Sequence, residues 1–146
     1  MALEYYSTDA DLVKIRPNIL SLGVDDWTEQ HKKAFAIINR VIELRWYKDA
    51  AKEYSLDWRD TAFSPDLVED GYLKDLSVYK TFELAYLFLM KGTDDPFEKQ
   101  MKAFRDRYNE ELKMVLAMGI NYDWDGSGVV VDTERYQRTP RRLTRV

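Results

Sequence analysis

Residues 96–118 read PFEKQMKAFRDRYNEELKMVLAM, and this stretch decides the fold class. Phe97, Met101, Phe104, Tyr108, Leu112 and Val115 recur at steps of three and four, so a helix gathers them on one face. Arg105, Arg107, Glu110 and Glu111 fall mostly away from that face, where water solvates them. Asp94 or Asp95 offers an oxygen to the first free N–H groups, and Pro96 suits the first helical position because its missing N–H has no partner there anyway. Gly119 closes the helix. The spacing predicts one helix from about Pro96 to Met118.

The same period extends towards the N-terminus. Leu73 to Met90 predicts a second helix. Its latter half, Phe82 to Met90, is apolar on nearly all sides except Glu83, which suits a central position, and Gly92 stops it. Trp27 to Lys52 predicts a long helix, capped by Asp25 or Asp26, with Ala34, Ile37, Ile38, Val41 and Leu44 on one stripe and Trp46 and Tyr47 widening it. Ser7 or Thr8 caps a short helix from about Asp9 to Ile15, with Asp11 completing a capping-box pattern. Between the helices, Glu53 to Ser64 reads as a linker. Ser64-Pro65-Asp66 then starts a brief turn of helix.

Beyond Gly119 the character changes. Asp123 to Gly128 is a turn cluster, and Val129-Val130-Val131 favours a strand. The expected fold is mainly α: a helical bundle of about three long helices plus short ones, ending in a C-terminal β-hairpin or extended arm. Residues 1–119 form the body and 120–146 the arm, within one domain.

Composition narrows the function classes. The chain has 146 residues and no cysteine, which removes disulfides, thiolate metal sites and cysteine nucleophiles. Met1 to Tyr6 does not read as a signal peptide, and the longest apolar run, Leu84 to Met90, is far too short to span a bilayer. No membrane contact is expected. Of the 22 basic residues, 17 precede Arg135, and so do all 26 acidic ones. The chain through Glu134 therefore carries −9 and the remainder +5. Such segregation points to different partners for body and tail.

Catalytic patterns are sparse. His31 sits among Gln30, Lys32 and Lys33, and reads as a solvated helix residue. There is no G-x-S-x-G, P-loop or dinucleotide glycine pattern. We expect no catalytic residues, no enzymatic activity and no required cofactor.

One motif carries metal chemistry. Asp123 to Glu134 is twelve residues long and resembles the calcium loop of an EF-hand. Asp123, Asp125 and Ser127 stand at positions one, three and five, Gly128 at six, Val130 at eight and Glu134 at twelve. Hard oxygens at alternate positions, a glycine at the sharp turn and a closing glutamate are what Ca²⁺ needs. Val131 at position nine brings no ligand, and Pro140 leaves little room for an exit helix. The competing reading is an Asp-Gly turn leading into a valine-rich strand.

Arg135, Tyr136, Arg138, Arg141, Arg142 and Arg145 make up the other candidate site. Arginine forks onto carboxylates and phosphates alike. The segment fits an acidic groove on a protein partner, a nucleic acid, or simple solubilisation. An acidic body weighs against the nucleic-acid reading.

Taken together, the opening Tyr5-Tyr6-Ser7-Thr8 followed by Asp9-Ala10-Asp11-Leu12, the helical body, and the Asp123–Glu134 turn leading to an arginine-bearing arm resemble the head–tail connector (adaptor) proteins of tailed bacteriophages. The resemblance covers the layout of the whole chain. It implies a structural virion protein of the neck, assembled in the host cytoplasm. Such subunits form a ring, commonly dodecameric, that docks under the portal and extends the DNA channel towards tail or neck proteins. DNA passes through transiently. Residues Arg135 to Arg145 would bind the portal protein. Two other functions stay open: a calcium-binding EF-hand-like regulatory module and a small nucleic-acid-binding protein.

Overall fold

A computed structural model of the chain describes residues 3–92, 95–131 and 134. The protein is mainly helical. Its elements are α1 (Asp9–Ile15), α2 (Thr28–Ile42), α3 (Lys48–Glu53), α4 (Lys74–Leu89) and α5 (Pro96–Met118), with single 3-10 turns at Ile19–Ser21 and Pro65–Leu67. A π-helical segment, Glu43–Tyr47, joins α2 to α3. Among the described residues, no helix is long and apolar enough to cross a membrane. The chain divides into two compact units, Met1–Ile38 with Leu73–Lys113 and Asn39–Tyr72 with Met114–Val146.

The first unit is built around aromatic packing. Leu12, Ile19, Trp27, Val78, Phe82, Ala85, Tyr86, Met101 and Phe104 form its core. Phe82 and Phe104 stack at 4.4 Å between ring centres. The expected capping of α1 is present: the Asp11 carboxylate accepts the Thr8 N–H at 2.9 Å. Asp95 caps α5 by accepting the Phe97 N–H at 2.9 Å, and Asp94 lies outside the described residues.

Helix α4 departs from the expected pattern in a telling way. Glu83 is buried at 6 % exposure, whereas Phe88 is 65 % exposed and Leu87 is also at the surface. The reason is pairing. Lys80 reaches the Glu83 carboxylate at 2.8 Å and Arg105 reaches it at 3.0 Å, so the charge enters the interior with two counter-charges.

The second unit holds the π segment. Spacings of four from Ala34 to Ile38, Ile42 and Trp46 would drift around a regular helix. The wider π turn absorbs the drift and lets the consecutive Trp46 and Tyr47 both be buried. Leu44, expected on the buried stripe, is exposed, and Ile42 is buried instead. Ala50 and Ala51 continue the buried face through α3.

The hairpin expected after Gly119 is not seen among the described residues. Val129–Val131 has no strand partner among them. Residues 120–123 instead turn back onto the 3-10 turn. Val68 and Tyr122 form an isolated antiparallel bridge, Glu69 N–H donates to the Asn121 carbonyl at 3.0 Å, and Asp123 N–H donates to the Leu67 carbonyl at 2.8 Å. Burial selects this non-local pairing: Ile120 and Tyr122 are both buried, and the Tyr122 hydroxyl accepts the Ser64 N–H at 3.1 Å.

Candidate functional site

Residues 120–122 deliver the acidic loop from this pairing. At Asp123 the chain turns, and its carboxylate gathers the N–H groups ahead of it: Ser127 N–H at 3.2 Å and Gly128 N–H at 2.7 Å. Asp125 accepts the same Ser127 N–H at 2.9 Å. Gly128 has φ of +90°, and a Cβ there would meet nothing, so the left-handed backbone alone calls for glycine.

Glu134 closes the loop from the other side. Its Oε2 accepts the N–H groups of Trp124 and Asp125, and its Oε1 accepts that of Val131 at 3.1 Å. The residue is 4 % exposed. Its burial follows from the neighbouring rings: Trp124 stacks on Tyr54 at 4.2 Å and on Tyr47 at 5.7 Å. Burial, with the charge of Glu134 as the next contribution, raises the Tyr54 phenol above its ordinary range. The Ser127 N–H lowers the Asp125 carboxyl by favouring its ionised form.

The result is a triangle of carboxylates. One oxygen each from Asp123, Asp125 and Glu134 lie within 4.8 Å of one another. These are positions one, three and twelve of the calcium-loop pattern. Ser127, at position five, is drawn in by its bonds to Asp123. The four residues singled out from the sequence are therefore brought together. The surroundings differ from an EF-hand, because α5 ends at Met118 and the extended segment 120–122 intervenes before the loop. Arg135, Tyr136, Arg138, Arg141, Arg142 and Arg145 lie outside the described residues.

A second polar centre was not expected. His31 is 3 % exposed, a correction to its reading as a solvated residue. Its Nε2 lies 3.0 Å from Asp9 Oδ1 and its Nδ1 lies 2.8 Å from Ser7 Oγ. Ser7 Oγ is in turn 2.7 Å from Ser77 Oγ. The signal was available in the sequence: His31 falls in step with Trp27, Ala34 and Ile38 on the buried stripe of α2. Carboxylate, imidazole and hydroxyl here have the composition of a hydrolase triad. Ser7 is 2 % exposed and bonded on both sides, so its oxygen is committed to holding elements together and is not presented to a substrate.

Comparison with family models, curated proteins and solved structures finds no match to this chain.

Proposed function

We propose that the chain is a structural virion protein, a head–tail connector subunit of a tailed bacteriophage. In this reading the helical body joins a ring of copies under the portal. The segment Arg135–Arg145 binds the portal protein, and the opposite side receives tail or neck proteins. The observation that carries the reading is the latch at Glu134. Three backbone N–H groups hold this buried carboxylate at the last acidic position of the chain. A basic segment that follows such a held residue in the sequence suits an arm aimed at a partner. An acidic body supports the same reading, since a negative channel wall lets DNA slide without sticking.

The test is capture by a cognate portal protein of the full chain and of a chain ending at Glu134. Binding by the full chain and loss with the shortened one is expected. Equal capture of both removes the segment from the mechanism. Electron microscopy of the portal complex should show rings of this chain.

A second reading is favoured by the carboxylate triangle: the loop holds a Ca²⁺ ion. Asp123, Asp125, Ser127 and Glu134 would supply the side-chain oxygens. Calorimetry tests it directly. No heat at roughly millimolar calcium, the weak end of the range for such loops, rules it out. The two readings are compatible, since a cation in the loop would brace the same latch.

A further inference from the structure

The buried centre around His31 serves neither proposal, and its geometry supports a function of its own. We propose that His31 is a proton-operated latch that fastens the N-terminal segment, residues 3–8, to α2 and α4, and lets it loosen when the imidazole takes up a proton.

The direction of each hydrogen bond follows from what each atom can donate. The Asp9 carboxylate accepts, so His31 Nε2 carries the hydrogen between them. In the neutral ring Nδ1 is then a lone pair. Thr81 spends its hydroxyl hydrogen on the Ser77 carbonyl at 2.7 Å. Ser7 is therefore the donor to Nδ1, and Ser77 in turn donates to Ser7. The single acceptor nitrogen of His31 sets the sense of the whole chain, and that chain ties the N-terminal segment to two helices.

Protonation reverses it. Nδ1 becomes a donor, Ser7 must turn its hydrogen towards Ser77, and the hydrogen of Ser77 loses the acceptor it had. A charge is also placed on a side chain that is almost wholly out of water.

The groups facing the ring come from every element packed on it. From the N-terminal segment there are Tyr5, whose ring centre is 6.5 Å away, and Ser7, and from the first residue of α1 there is Asp9. From α1 there is Asp11, whose charge is matched by Lys74 of α4 at 3.0 Å. From α4 there are Ser77 and Thr81. Asp9 is the carboxylate bonded to the ring, and it is shared with the Trp27 N–H at 3.3 Å. Burial outweighs it and pulls the imidazole below its ordinary 6.5. Beside the latch lies a cavity of about 330 Å³, lined by Tyr5, Ser7, Thr8, Asp9, Thr28 and His31, through which a proton can reach it.

The experiment uses the full chain. Its single histidine gives one imidazole titration by NMR, with no assignment ambiguity. The expected midpoint lies below 6.5, and the Ser7 and Asp9 amide shifts follow the same midpoint. Protection of the Asp11 and Leu12 amides, which donate to the Thr8 carbonyl, should fall about tenfold between about pH 7.5 and pH 5. His31→Gln should abolish that pH dependence. A midpoint at or above 6.5, or unchanged protection in the native chain, overturns the proposal. Should His31→Gln fail to fold, the titration of the native protein decides alone.

Discussion

The latch at Glu134 offers the sharpest test of how the second unit is held. Glu134→Ala removes three hydrogen bonds from backbone N–H groups to a buried carboxylate. Bonds to a charged group each contribute about 1.5–3 kcal/mol in mutational series. The full sum overstates the loss, for two reasons. Asp123 and Asp125 repel Glu134, so its removal relieves strain between like charges. The loop also lies at the surface, and water can reach part of what is uncovered. An expected loss of about 2–3 kcal/mol follows. With a urea m-value of roughly 2 kcal/mol/M for a chain this size, the midpoint should fall by about 1–1.5 M. Glu134→Gln sharpens the test. An amide oxygen in the Oε2 place keeps the bonds from Trp124 and Asp125, but its NH₂ then faces the Val131 N–H, so about half the loss is expected. Urea unfolding followed by fluorescence and circular dichroism reads all three proteins. A Glu134→Ala midpoint within about 0.2 M of the native one would refute the latch, and with it the held residue that precedes the basic segment.

Other substitutions separate core from surface. Phe82→Ala should cost about 3–5 kcal/mol by thermal or urea unfolding, because Phe82 is fully buried against Phe104 and Tyr86. Phe88→Ser, only two turns on, should stay within about 0.5 kcal/mol of native, since most of that ring is in water. Glu83→Ala should cost about 3 kcal/mol, because Arg105 is half-exposed and can turn to solvent while the largely buried Lys80 is left without its carboxylate. For pH, the depressed imidazole of His31 means that the unfolded chain binds this proton more readily. The stability it contributes is complete above pH 6.5 and is lost as the pH falls through 6.5 towards the folded value. The urea midpoint should decline over that window in the native chain and stay flatter in His31→Gln.

Period and capping were legible because they are local. Thr8 with Asp11, Pro96 and Gly119 mark helix ends through bonds to residues a few places away, and α1 and α5 begin and end where those signals stand. The twelve-residue loop was legible for the same reason: its glycine and carboxylates act on neighbouring N–H groups. What escaped were choices settled at a distance. Glu83 looks like the one polar break in an apolar run, yet Arg105, 22 residues on, makes its burial tolerable and turns Leu87 and Phe88 outward. The valines at 129–131 have strand propensity, but propensity names no partner, and among the described residues it is Ile120 and Tyr122 that pair, against residues 64–69. His31 shows how the two kinds of information combine. Its place on the buried stripe of α2 is local and readable, and a buried imidazole requires partners. Those partners, Asp9 and Ser7, lie 22 and 24 residues away, and Ser77 of α4 completes the chain through Ser7. A polar residue in step with an apolar stripe is therefore best read as a demand for distant donors and acceptors, and the small hydroxyls at the start of the chain and within α4 are where such a demand can be met.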